Sequence, residues 1–193
     1  MSMLHQELCR KGTHLASGLI PLVYLLLDLP RATVLTAVGI AGFPFVLADL
    51  FRLRSASLNA RFRHAFGWGM RPGEEGRLTG AFYSLIAIWG TIALFERPVA
   101  CAALLMLAIG DTAAFATGKA VGGPRLIGKK TLAGTLAFLV SASLIGWSLL
   151  RPGPALAGAV AATLAELVPF PVDDNVRIPF AAGLTITVVN WSL

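Results

Sequence analysis

An all-α integral membrane bundle of about seven transmembrane helices is the fold this sequence predicts, and three observations predict it. Apolar residues make up 56% of the 193 residues and charged residues only 13%, with a mean hydropathy of +0.74. A soluble domain carries about 25% charged residues, so this chain has too little polar surface to coat a water-facing globule. The apolar residues gather in runs near the ~20 residues that a bilayer-crossing helix needs. The runs lack the apolar–polar alternation of a membrane β-barrel strand. The chain reads as a single domain over 1–193.

The first run, 13–29, follows the basic pair Arg10-Lys11. A charged start before an apolar run is also the outline of a signal peptide, but no small-residue cleavage pattern follows, and further apolar runs do. It is expected to stay as the first membrane helix. The second run spans 32–51. A polar stretch, 52–77, comes next: Leu58, Phe62, Ala65 and Phe66 recur at i, i+4, i+7 and i+8 between arginines, and Ser55 stands where a cap would. This spacing fits a basic amphipathic helix in the interface; a solvated loop bearing orienting charge fits equally. Gly67, Gly69, Pro72 and Gly73 end it. The remaining runs are 78–95, 98–118, 131–150, 154–171 and 177–193. Cys9 precedes the first run and Cys101 lies within the fourth; neither has metal-ligand spacing, and both read as structural.

The basic residues test this layout. The chain has a net charge of +6 and 16 Lys and Arg. With the N-terminus in the cytoplasm, only Arg31, Arg97 and Arg151 face the other side. That bias predicts an N-in, C-out orientation. It also accounts for the basicity without nucleic acid as a partner.

Four polar clusters fall on the cytoplasmic side of this layout. Glu7, Arg10, Lys11 and His14 share one helix face at i, i+3, i+4 and i+7. Gly110-Asp111-Thr112 puts a carboxylate in an apolar helix, where an acid usually faces a polar interior or a site. Gly110, Ala114 and Gly118 form a small-residue stripe along that helix, for a contact either within the chain or between copies. The loop 119–130, with Lys119, Gly122, Lys129 and Lys130, leads into Thr131 and Gly134; its glycines permit close backbone approach to phosphate and its lysines neutralise charge. Lys130-Thr131 sits at a predicted helix start, which attracts anions. The string is not a Walker loop: Gly123 and Gly128 have the first spacing, but Lys130-Thr131 comes one place late and no strand precedes it. The last cluster is Glu166 with Asp173-Asp174-Asn175. Its adjacent carboxylates suit Mg²⁺ beside a phosphate. Lysines, glycines and carboxylates on one side are the parts that phosphoryl transfer uses.

In this order the clusters resemble the family of CTP-dependent lipid-alcohol kinases (dolichol kinase, phytol kinase and fungal-type diacylglycerol kinase), related in its membrane domain to phosphatidate cytidylyltransferase. The resemblance runs from Glu7, Arg10-Lys11 and His14 through Arg77 and Gly80-Ala81. Its most specific part is Gly110-Asp111-Thr112-Ala113-Ala114, Gly118, Gly122, Lys130-Thr131 and Gly134. It closes on Glu166, Asp173-Asp174-Asn175, Pro179 and Gly183. Leu132-Ala133 depart from the family pattern, which commonly has an acidic or small residue after the Lys-Thr pair.

The resemblance implies a Mg²⁺-dependent kinase that takes CTP and a membrane lipid alcohol. Asp111, Asp173, Asp174 and Asn175 would hold Mg²⁺. Arg10, Lys11, Lys119, Gly122, Lys129, Lys130, Thr131 and Gly134 would bind the nucleotide. Asp111, Glu166 or His14 would take the hydroxyl proton. Two other readings stay open: a cytidylyltransferase acting on a lipid phosphate, and a small ion-coupled carrier using Asp49 and Asp111.

Overall fold

The computed structural model describes residues 11–71 and 73–192. Glu7, Cys9, Arg10 and Pro72 lie outside the described residues. The described chain is a helical membrane bundle. Residues 11–17 form α1, and α2 (Leu19–Leu26) continues it after a turn at Gly18. A Cβ on Gly18 would stand 3.2 Å from the Ala108 Cβ, so the missing side chain lets this helix close on its neighbour. Next come α3 (Arg31–Arg52), α4 (Ala56–Phe66) and α5 (Gly80–Leu94). Then α6 (Arg97–Leu105), a π-helical turn (Met106–Gly110) and α7 (Asp111–Val121) form one continuous rod, followed by α8 (Leu132–Leu149), α9 (Pro152–Leu167) and α10 (Asp174–Trp191). Among the described residues, three helices are long and apolar enough to cross a membrane by themselves: Arg31–Arg52, Arg97–Val121 and Leu132–Leu149.

Helices stand where the apolar runs were expected, with ends moved by a few residues. Two local expectations are corrected. Loop 119–130 is not purely irregular: β1 (Arg125–Ile127) pairs antiparallel with β2 (Lys130–Thr131) in a small bulged ribbon, with Gly128 in the left-handed region at the turn. The stretch 52–77 does contain a helix, α4, but Ser55 does not cap it; its hydroxyl meets Ser57 instead. Phe62 is buried and packs with Phe45 and Phe66, so the aromatic face of α4 turns onto α3.

The central rod organises the bundle. Every residue of α6 from Val99 to Leu105 is buried. A helix covered on all sides is the core element of a bundle. α8, α9 and α10 pack on one flank, where Phe138, Ala142, Ala159, Ala162, Ile178 and Ile186 join its core. α2, α3 and α5 pack on the other through Tyr24, Val34, Val38, Ile88 and Ile92. Small residues set the closest approaches, as in membrane interfaces generally: a Cβ on Gly158 would lie 2.4 Å from Ile186, and one on Gly183 would lie 2.5 Å from Phe95.

One buried ion pair ties the polar loop to this scaffold. Asp49 is 0% exposed and Arg52 is 1% exposed. Arg52 Nε donates to Asp49 at 2.5 Å, and its terminal nitrogens donate to the carbonyls of Glu74, Glu75 and Arg77 and to Asn59. The second Asp49 oxygen accepts from the Thr79 amide (2.8 Å) and hydroxyl (2.9 Å). Both charges are thereby fully engaged, and Asp49 is not open to the ion-carrier role. Breaking a buried pair strands the remaining charge at a cost of ~3–5 kcal/mol. Arg52→Ala is therefore expected to lower the unfolding temperature in detergent sharply, while Arg54→Ala, a change at an exposed position, leaves it unchanged; thermal melts of both variants check this.

Candidate active site

Asp111 owes its position to the π turn before it. The extra residue in Met106–Gly110 shifts the helical register just ahead of the carboxylate, and such turns frequently occur at functional sites. Thr112 Oγ1 donates to the Ala108 carbonyl at 2.7 Å across this turn. The Asp111 carboxylate forms an ion pair with Lys11 from α1, and His14 Nε2 lies 3.6 Å from the same oxygen. A carboxylate in an apolar helix needs such partners, and Lys11 and His14, from the face that the sequence marked, supply them.

The small-residue stripe is used internally, against α8. A Cβ on Gly110 would stand 3.0 Å from the Phe138 ring. One on Gly118 would reach 2.9 Å from Thr131 Oγ1, and one on Gly134 would reach 2.9 Å from the Ala114 carbonyl. Thr131 caps α8, accepting from the Gly134 amide at 3.1 Å. The α8 N-terminus, with its free N–H groups, is thus held directly against α7.

Lys130 forms an ion pair with Glu166, which is 3% exposed. The other Glu166 oxygen is buried without a hydrogen-bond partner among the described residues. Asp173 caps α10 by accepting from the Asn175 amide at 2.9 Å. Arg71 crosses from the loop after α4, 3.2 Å from Asp173 and 3.5 Å from Asp174. Burial opposes the Arg71 charge, but Asp174, Asp173 and Glu74 together hold its pKa above the ordinary value. Burial pushes the Asp173 carboxyl up; the Asn175 amide and Arg71 oppose this, and Asp174 adds to it.

These groups surround a cavity of about 410 Å³. Lys11, Lys119, Lys129, Lys130, Thr131 and Gly134 line it together with Asp111, Glu166, Asp174 and Arg71. Asp173 lines the adjoining cleft instead. Asn175 and His14 line a separate cavity; Asn175 also donates to the Gly80 carbonyl. Gly122 has a positive φ of 67° and open space where a Cβ would be; it shapes the loop away from the cavity wall. No group of three His, Cys, Asp or Glu side chains converges as a ready-made metal site among the described residues. Asp111, Glu166 and Asp174 line the same cavity, and the second Glu166 oxygen is buried behind its wall.

Arg71 is the site residue that sequence reasoning missed. It read only as orienting charge, because no local pattern ties a residue in a glycine-broken loop to an Asp pair a hundred residues later. The opposite end of the bundle is sparsely charged: Asp28 pairs with Arg97, and Arg31 donates to the Phe95 carbonyl at 2.9 Å.

Over 136 residues, 69% of its length, the chain is 31% identical to CTP-dependent diacylglycerol kinase 1 of Eremothecium gossypii. It spans 43% of that relative's length. No family model matches the chain, and no solved structure does.

Removing Lys130 alone strands a buried carboxylate. Lys130→Met is expected to cost on the order of 1–3 kcal/mol, and adding Glu166→Gln to recover part of it. A double-mutant cycle in detergent reads the coupling; additive losses would mean that the pair does not interact.

Proposed function

The chain belongs to the family of CTP-dependent lipid kinases, and from that premise we propose that it transfers the γ-phosphate of CTP to the hydroxyl of a membrane lipid alcohol. Its site faces the cytoplasm, where nucleotide is supplied, and its helices cross the bilayer several times. One observation carries the reading. A cavity at the charged end of an apolar bundle collects four lysines and three carboxylates, with Lys11 paired to Asp111 and Lys130 to Glu166. Such a cavity suits a metal-bound polyphosphate, and its place in a membrane bundle suits a lipid acceptor.

In this reading Lys119, Lys129 and Lys130 hold the triphosphate, aided by Arg10 and Lys11. Thr131 and Gly134 present the α8 N-terminus to phosphate oxygens, and Gly122 shapes the loop that carries the lysines. Asp111 and the Asp173–Asp174 pair, with Asn175 holding the turn, are the groups that would bind Mg²⁺. Bound there, Mg²⁺ would neutralise charge on the transferred phosphoryl group. Glu166 keeps Lys130 oriented. The acceptor oxygen bonds to the γ-phosphorus as the bond to the β-phosphate oxygen breaks, and CDP leaves. His14, beside Asp111 and lining the adjoining cavity, takes the hydroxyl proton. Proton transfer by a positioned side chain contributes roughly 10²–10⁴-fold.

The deciding experiment gives the purified protein, in mixed micelles with Mg²⁺, CTP labelled at either the α or the γ phosphate. Diacylglycerol, polyprenols, phytol and phosphatidate serve as acceptors. Transfer of γ label to an alcohol is expected. Transfer of α label to phosphatidate would make the chain a cytidylyltransferase instead, and no transfer at all would sink both enzyme readings. Chelating Mg²⁺ should abolish transfer, and adding it back should restore it. Asp111→Asn should lower kcat at least ~100-fold, the loss typical of removing one group that stabilises transition-state charge. Circular dichroism unchanged from wild type would tie that loss to the site.

A further inference from the structure

Three cavities adjoin one another, and their chemistry changes in order. The outermost is a groove of about 430 Å³ between α2, α3 and α5. Leu19, Val23, Val34, Ala37 and Val38 line it, and the hydroxyls of Thr33 and Tyr24 are its few polar groups. Leu19, Val23 and Ala37 are exposed, so the groove opens on the outer surface of the bundle. Ile20 and Leu85 line both this groove and a second cavity of about 260 Å³. The second cavity has mixed walls: apolar Ile88 and Phe45, polar His14, Ser17, Ser84 and Asn175, and the acid Glu74. Arg71 then lines both the second cavity and the charged one that holds Asp111 and the lysines.

We propose that the groove between α2, α3 and α5 receives the hydrocarbon chain of the acceptor lipid and that the second cavity receives its hydroxyl, beside His14. The assignment rests on the lipid-kinase reading for the hydroxyl end and on the adjacency of the cavities for the chain. A lipid alcohol has an apolar chain, a small polar end and a point of phosphate transfer, in that sequence. The cavities present apolar, mixed and charged walls in the same sequence. Ile20 and Leu85 separate the first two cavities and Arg71 the last two, so each lies one side chain from the next. An apolar depression filled by any bilayer lipid would need no junction at Ile20 and Leu85 and no imidazole at its inner end.

The test has two arms. In the first, Ala37→Trp fills the groove from its exposed wall, with Ile40→Trp, on α3 but outside the groove, as control. Ala37→Trp is expected to raise KM for the lipid alcohol about tenfold or more, as steric changes in apolar substrate pockets do, with KM for CTP unchanged; Ile40→Trp changes neither. A wild-type lipid KM in Ala37→Trp overturns the groove and leaves the kinase reading standing. In the second arm, a long-chain alcohol with a mid-chain diazirine is photo-crosslinked to the wild-type protein. Adducts on α2, α3 or Leu85 that excess unlabelled alcohol removes are expected. Adducts spread over outward residues of α8 such as Leu144 and Trp147, or displaced equally by phosphatidylcholine, overturn the proposal. If wild-type protein transfers no γ-phosphate, the kinase reading fails, and the competed crosslink alone decides whether the groove takes the alcohol.

Discussion

The structure depends on the high cost of a lone charge in an apolar bundle. Asp111 lies in the middle of the most buried helical rod, and it is tolerated there because Lys11 and His14 reach it from α1. That pairing joins the first membrane element to the central rod. The same constraint acts at Glu166, which draws Lys130 and with it the ribbon onto α9, and at Asp49, which holds Arg52. Asp111 and Glu166 take their cations from distant parts of the chain, and Asp49 takes Arg52 from its own helix and ties it to the loop at 74–77, so the acids determine where the loops go.

The cavity with its lysines and carboxylates results from these pairings. Arg52 fastens the backbone at residues 74–77, and that loop carries Arg71 to the start of α10. The close contact of α7 and α8 through Gly118 and Gly134 brings the helix start capped by Thr131 beside Asp111. Neither device is chemical in itself. Both position chemical groups on elements that cannot move independently, which is what a phosphoryl-transfer site requires.

Much of this was legible in the chain. The apolar runs marked where the helices stand, and three of these are long enough to cross a bilayer, because helix length is set by a fixed rise per residue. Most of the residues expected to bind nucleotide do meet around one cavity: Lys11, Lys119, Lys129, Lys130, Thr131 and Gly134. Thr131 caps a helix where its position suggested. The short ribbon at Arg125–Thr131 was not foreseen, since strand pairs this short carry no periodic signal. Asp173 and Asn175 stood beside Asp174 in sequence but point to different neighbours, because successive residues at a helix start face different directions.

By itself, the sequence determined the membrane solvent, the helical class and the residue types gathered at one end of the bundle, because composition, run length and charge bias are local or additive properties. Only the tertiary structure decided which cation meets which carboxylate, that Arg71 lines the charged cavity while Asp49 serves the scaffold, and that an apolar groove adjoins the cavity lined by His14. Those facts depend on contacts between residues up to a hundred positions apart, and no periodicity in the chain encodes them.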